Sequence, residues 1–318
     1  MIILVKYVIK RILSAIPVIF IASTLIFFLI RFIPGDPALN LLGEDADPAD
    51  VEALRERMGI NDPIHVQYIK FLKGVFKGDW GTSLYDDNPV FENILKRMEP
   101  TILLTFYSTI VTVIIGVPIG IIAARKRNSL ADYGLTFVSA IGMSAPGFWV
   151  SLMMIYYIGV QLGWLPVQGY TSLAKGGLGG ALYSLTMPAI AYALSHVSSI
   201  ARYTRTTMLD VMNEDYVRTA RAKGLSEKIV YYKHALRNAL APVVTNITTS
   251  IAGLLGGSTI AETVFNIPGL GSLTYSSFLR RDYTQQQANL LFTTLLLVTT
   301  NIVLDIIYKM LDPRINFD

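Results

Sequence analysis

The run from Ile12 to Ile30 carries no charged side chain. As a helix rising about 1.5 Å per residue it reaches ~28 Å, enough for a hydrocarbon core of about 30 Å. Further uncharged stretches run from Ile102 to Ala124, Tyr133 to Val160, Ala181 to Ala201, Ala239 to Ala261 and Ala288 to Leu304. Each reads as a membrane helix, so the expected fold is an all-α membrane protein with six transmembrane helices. Composition agrees. With 52% hydrophobic and 16% charged residues and a mean hydropathy of +0.47, the chain is too apolar for a soluble globular domain. Lys6, Lys10 and Arg11 resemble the start of a cleaved signal, but the apolar run is long and no A-x-A site follows, so the first helix is expected to stay.

A net charge of +4 fits nucleic acid, anionic lipid or cytoplasmic loops, and placement decides between them. More than half of the 27 Lys and Arg lie before the first span, at Arg125 to Arg127, between Arg202 and Arg237, and in the tail with Lys309 and Arg314. These are alternate loops. By the positive-inside rule they are cytoplasmic, with both termini, and no nucleic acid partner is expected.

The segment 34–99 has more acidic than basic side chains and should form a small extracytoplasmic helical lobe between helices 1 and 2. Asp47-Pro48, Asp62-Pro63 and Asn88-Pro89 each place a capping side chain before a proline suited to a first helical turn, which predicts short amphipathic helices. In the first of these Val51, Leu54 and Met58 share a face and Gly59 stops the helix. Thr171 to Gly180, rich in small residues, reads as a loop, with Trp164 and Tyr170 as interfacial anchors.

Several chemistries are excluded. Without cysteine there is no disulfide, thiolate nucleophile or Cys-based metal site, and the three histidines are too scattered for metal-ligand spacing. No G-x-x-x-x-G-K-[ST] occurs, so the chain cannot cradle ATP in the P-loop manner. A carrier coupled to an ion gradient needs an acid or base near the bilayer centre. The six stretches have none: Arg31 and Asp305 sit at span ends, and His196, alone at mid-span, reads as a packing residue. An intramembrane hydrolase would need paired catalytic side chains, for which serines near His196 are the sole formal candidates. Either the pathway is passive or a partner supplies the energy.

The loop between Arg205 and Pro242 is too long for a tight connection and reads as helix, break, helix. Asn213 is placed to cap a helix with Glu214 and Asp215 in its first turn and Arg221 and Lys223 in its last, ended by Gly224. Such a short helix is marginal unless it docks. Fixing topology or lying on anionic headgroups would account for the basic residues, but not for Ala220 and Ala222 beside Gly224, which leave room for close approach. Ala220 and Gly224, four residues apart, are expected to share the side offered to a partner, with Ala222 about 200° away.

The run Tyr216-Val217-Arg218-Thr219-Ala220-Arg221-Ala222-Lys223-Gly224 resembles the EAA coupling motif of ABC importer permeases in its dipeptide and oligopeptide form. Pro34-Gly35-Asp36-Pro37, Gly78-Asp79-Trp80-Gly81-Thr82-Ser83, Gly163-Trp164-Leu165-Pro166, His234 to Leu240, Glu262-Thr263-Val264-Phe265, Pro268-Gly269-Leu270-Gly271 and Leu311-Asp312-Pro313-Arg314 also resemble the B-type subunit of that family. Arg218 and Thr219 replace the general motif's Glu and first Ala, Pro242 lies farther from Gly224 than in sugar importers, and Thr284 to Gln287 stands where many relatives have a proline-containing turn.

The resemblance implies a type I importer subunit, half of a pathway for dipeptides or oligopeptides, with nickel or metal chelates or glutathione as alternative cargo. It implies as partners a second permease, two P-loop ATPase subunits holding ATP and Mg, an extracytoplasmic solute-binding protein and the bilayer of a bacterial or archaeal cytoplasmic membrane. It places no catalytic residue, cofactor or metal in this chain. ATPase coupling is assigned to Glu214, Tyr216, Arg218, Thr219, Ala220, Arg221, Ala222, Lys223 and Gly224. The expected divisions are 1–33 for the first span, 34–99 for the lobe, 100–308 for a five-helix core with its coupling loop at 202–238, and 309–318 for a cytoplasmic tail.

Overall fold

A computed structural model describes residues 2–32, 35–43 and 45–311. Pro34, and Asp312 to Arg314 of the closing motif, lie outside them, as do the side chains of Lys6 and Lys309. In chain order the helices are α1 (Ile2–Phe32), α2 (Pro37–Leu42), α3 (Pro48–Met58), α4 (Ile64–Lys77), α5 (Val90–Arg125), α6 (Leu130–Ser144), α7 (Gly147–Met154), α8 (Leu173–Met212), α9 (Asp215–Ala222), α10 (Glu227–Ile229), α11 (Leu236–Gly257), α12 (Thr259–Val264), α13 (Leu270–Leu279) and α14 (Tyr283–Leu311). π-Helical segments at Ile155–Gln161 and Val230–Ala235 extend α7 and join α10 to α11.

Among the described residues five stretches are long and apolar enough to cross a membrane: Lys10–Phe32, Val90–Arg125, Leu173–Met212, Glu227–Gly256 and Tyr283–Ile306. The sixth expected span, Tyr133 to Val160, is not one straight helix. It is a pair, Leu130–Ser144 and Gly147–Gln161, bent by 100°. Pro146 causes the break: its ring disfavours helical backbone at Ala145, which is extended at φ −70°, ψ 124°. Hydropathy is blind to this, because both halves are apolar. Thr171 to Gly180 also departs from expectation. Helix begins at Leu173, and the irregular point is Gly177 alone, at φ 60°, ψ −171°. Trp164 is exposed, whereas Tyr170, the other expected anchor, packs on a core formed by Leu104, Leu185, Met187 and Phe265.

The chain divides into two compact units. The first comprises Met1–Glu99 and Pro268–Ile302. Asp36 caps α2 by accepting from the Ala38 amide at 2.9 Å, and its other oxygen accepts from Arg55 Nε of α3 at 2.7 Å. Asp47 caps α3, Val51 is its buried residue, and Gly59 ends it in the left-handed region, as its sequence predicts. The other two expected caps differ. Pro63 occupies the cap position of α4 while Asp62 pairs with Lys70 at 2.5 Å. Beyond Asn88-Pro89 no short helix forms, because α5 continues directly into a span. The apolar face of α4 sets Tyr68 and Phe71 against Phe27 of α1, and the Thr24 and Tyr68 hydroxyls lie 2.6 Å apart. Arg31 lies over the Phe27 ring and donates to the Phe27 carbonyl. Trp80 packs with Phe91 and Phe292 over a core of Val90, Ile94, Leu270 and Ala288. At the start of the last helix Asp282 caps through the Gln285 amide and accepts from Ser83 at 2.6 Å, and buried Gln285 accepts from Asn93.

The second unit comprises Pro100–Ile267 and Val303–Asp318. Helices α6, α7, α11 and α12 all pack on α8. Close approach depends on small residues, as in membrane bundles generally. A Cβ added at Gly116 or Gly120 of α5 would lie 2.9 Å from the Val197 carbonyl oxygen or 2.5 Å from that of Ala201, both on α8.

Candidate functional site

Between the ends of α8 and α11 the chain leaves the long helices and folds the expected coupling segment. Its first turn is set differently from the sequence expectation. Asn213 finishes α8, donating from its side chain to the Leu209 carbonyl at 3.0 Å, and so does not cap the next helix. Glu214 takes that position with extended backbone, its carbonyl accepting from the amides of Val217 and Arg218. An asparagine preceded by helix can satisfy that helix's last carbonyls as readily as the next one's first amides, and here the longer helix wins. Termination follows expectation. Gly224 sits at φ 76° with its amide donating to the Arg221 carbonyl at 2.9 Å, and Leu225 closes back to Ala220.

α9 is strongly amphipathic. Val217 and Ala220 are buried in a cluster with Val230, and Met212 packs against it. Asp215, Arg218, Thr219 and Ala222 point the other way and are exposed, flanked by Tyr216, Arg221 and Lys223. Arg221 Nε donates to Glu227 Oε1 at 2.8 Å, tying the end of α9 to the start of α10. The segment after it is anchored in turn by Tyr231, whose hydroxyl donates to the Ile121 carbonyl of α5 at 3.0 Å, beside Ala124, Met208, Ala235 and Ala239.

This geometry divides the predicted residues. Ala220 was expected to offer, with Gly224, a small surface to a partner; it is 6% exposed and faces its own chain. The open small residue is Ala222, about 200° around the helix from Ala220. Gly224 is open but stands there for its positive φ. Sequence reasoning missed Val217, Val230 and Tyr231, which hold the segment in place. The spacing of Val217 and Ala220 was the available signal, since residues three apart share a helical face.

Asp132 and Glu262 are buried carboxylates whose partners the sequence did not announce. Asp132, at the start of α6, is gripped by Arg205 of α8. Glu262 of α12 accepts from Thr101 at 2.7 Å and Ser258 at 2.8 Å. Both lay just outside the uncharged stretches. His196 sets its ring edge-to-face with Tyr192, in keeping with a packing role. Among the described residues no cluster of His, Asp or Glu has the makings of a metal site.

Residues 116–317 match the family described as binding-protein-dependent transport system inner membrane component, and residues 4–105 match the N-terminal region of such components. The chain belongs to this family. Like other permease components of these systems it is a multi-pass membrane protein. The oligopeptide transport system permease protein AppB of Bacillus subtilis (strain 168) is 40% identical over 313 residues, 98% of this chain and 99% of that protein. The glutathione transport system permease protein GsiC of Salmonella paratyphi A is 40% identical over the same extents, and the dipeptide transport system permease protein DppB of Alkalihalophilus pseudofirmus 38% over 330 residues, 98% of this chain and 99% of that protein. A solved structure of the MetNI methionine ABC transporter shares the fold at a TM-score of 0.58 and 20% identity, covering 70% of this chain and 98% of that one. The permease is thus an ABC importer membrane subunit of the type I fold.

Proposed function

We propose that this permease forms half of a pathway for peptides and that α9 is its contact with an ATPase subunit on another chain. The observation that carries the reading is the two-sided build of α9, with Val217 and Ala220 fixed inward and Arg218, Thr219 and Ala222 left open. A helix held on one face and bare on the other transmits movement as a rigid body. A second permease subunit, a second ATPase and an extracytoplasmic solute-binding protein complete the assembly, with ATP and Mg on the ATPases. The charge asymmetry of the loops supports cytoplasmic termini and a lobe at 34–99 on the far side of the membrane.

Peptides are the proposed cargo on the strength of AppB and DppB; GsiC, at equal identity to AppB, favours glutathione as the second reading. The test is reconstitution. The complete complex should take up peptide against a gradient with ATP, and this chain alone should neither accumulate peptide nor hydrolyse ATP. Uphill uptake by the isolated chain would sink the proposal. Orientation is checked by single-cysteine labelling in a chain that has no native cysteine. Positions Asp86 and Lys175 should react from outside, and Lys126 and Lys228 only after permeabilisation.

A further inference from the structure

The loop that carries α9 closes over a cavity of about 440 Å³, walled by the ends of α5 and α8 and by the segment after α9. Four cations line it: Arg125 and Arg127 at the end of α5, Arg221 on α9 and Lys228 on α10. Glu227 is the one carboxylate among the lining residues, and it is already engaged by Arg221. Arg125, Arg127 and Lys228 make no ion pair among the described residues. The wall is held in shape by the bond from Tyr231 to Ile121 and by the edge-to-face packing of Tyr231 and Tyr232, ring centroids 5.6 Å apart. Gathering like charges around one cavity is unfavourable unless an anion joins them.

The level of the cavity identifies the anion. Ala124 ends the uncharged run of α5 and Arg125 follows it, so Arg125 and Arg127 stand at the end of a span, at the depth where a bilayer carries its phosphates. We propose that this cavity binds the phosphate of an anionic phospholipid headgroup through Arg125, Arg127 and Lys228, with Arg221 as the fourth cation. Guanidinium forks match phosphate oxygens two at a time. Free phosphate has the same chemistry but no acyl chains to hold it at the end of a span. Because Arg221 belongs to α9, an occupied site ties that helix to the end of α5, and the membrane's anionic lipid content sets how firmly it is held. This regulatory consequence rests on the coupling reading of α9; the binding itself does not.

The test uses the complete complex in phosphatidylcholine nanodiscs doped with phosphatidylglycerol, with retained lipid counted by native mass spectrometry in the absence of ATP. Wild type should retain phosphatidylglycerol in preference to phosphatidylcholine. Arg125→Gln, Arg127→Gln and Lys228→Gln should each weaken retention about fivefold. Glu227→Gln, which removes the opposing charge, should strengthen it, and the lysine variants of Arg125 and Arg127 should keep most of it, which separates charge from misfolding. Wild-type retention by the triple glutamine variant overturns the site. Displacement of the lipid by millimolar inorganic phosphate reassigns it to a soluble anion, and release of ATPase subunits with lipid retention intact reassigns the cations to a protein contact; either result overturns the lipid assignment. Since lipid is counted without ATP, failure here leaves the coupling reading standing.

Discussion

Arg205 grips Asp132 with two parallel hydrogen bonds, Nε to Oδ1 at 2.6 Å and Nη2 to Oδ2 at 2.7 Å, and so fastens the first turn of α6 to the end of α8. Asp132 is 1% exposed and also accepts from the Asn128 amide. Removing the guanidinium alone leaves a buried, uncompensated carboxylate, at a cost of about 3 to 5 kcal/mol. Arg205→Ala should therefore lower the melting temperature of the purified complex sharply, and the double variant Arg205→Ala with Asp132→Ala should recover part of the loss. Equal melting of Arg205→Ala and wild type would mean that the pair carries no stability.

The two faces of α9 should fail in different ways. Ala222→Arg and Thr219→Arg alter open positions, where stability changes stay within about 0.5 kcal/mol. Membrane abundance should hold, while an overfilled contact costing ~1–3 kcal/mol weakens docking about tenfold or more, read as lost uptake and lost stimulation of ATP turnover. Ala220→Arg forces a charge into the Val217 and Val230 cluster and should reduce abundance itself. The coupling assignment fails if both outward variants transport normally.

Gly120 and Gly134 form a matched contrast. A methyl at Gly120 meets the Ala201 carbonyl and the Thr204 side chain, whereas nothing lies within 4 Å of one at Gly134. Gly120→Ala should destabilise the α5 and α8 pair by about 1 to 3 kcal/mol. Gly134→Ala should be neutral or slightly stabilising, since alanine is the better helix former. Thermal unfolding in nanodiscs ranks the two, and equal melting would remove close packing as the reason for Gly120.

Acid should loosen the lobe at a defined place. The Arg55 guanidinium holds the Asp36 carboxyl below the usual carboxylate range, outweighing the opposing effect of burial, with the Ala38 amide adding to the depression. A depressed folded value means that the stabilisation is complete above the unfolded value of about 3.9 and fades as pH falls through the folded one. Hydrogen exchange of α2 and α3 should therefore quicken below about pH 4, and Asp36→Asn should remove that dependence. Exchange in the variant that still follows pH as in wild type would assign the effect to another carboxylate.

Much of this was legible in order of residues alone. Apolar length gave the long helices, Asp47 and Gly59 gave the ends of α3, and Gly224 gave the end of α9, because each rests on local backbone chemistry. What escaped depends on partners far away in the chain. Whether Asn213 serves the helix before or after it is decided by which terminal groups are nearer, and whether Ala220 faces in or out depends on Val230, which the turn after Gly224 brings back. Asp132 and Arg205 are 73 positions apart, and no pattern along the chain announces their meeting. The angle at Ala145-Pro146 escaped for another reason: apolar length measures hydropathy, to which a bend set by a proline is invisible.

That angle has a consequence for what surrounds it. Around a sharp turn within an apolar stretch, helical pairing lapses for a few peptide units, and lipid tails offer nothing in exchange. Such units are tolerable only when other parts of the protein, or water, attend to them. A mainly apolar cavity of about 200 Å³ lies there, bounded by Gly142, Ala145 and Gly147 at the turn and by Val150, Leu194 and Ile260 beside Ser151 and Tyr192. The protein attends to the elbow with its own side chains: the Ser151 hydroxyl donates to the Gly147 carbonyl at 2.9 Å and the Tyr192 hydroxyl to the Leu254 carbonyl at 2.8 Å, so the bend is sealed from within rather than left to the surrounding hydrocarbon.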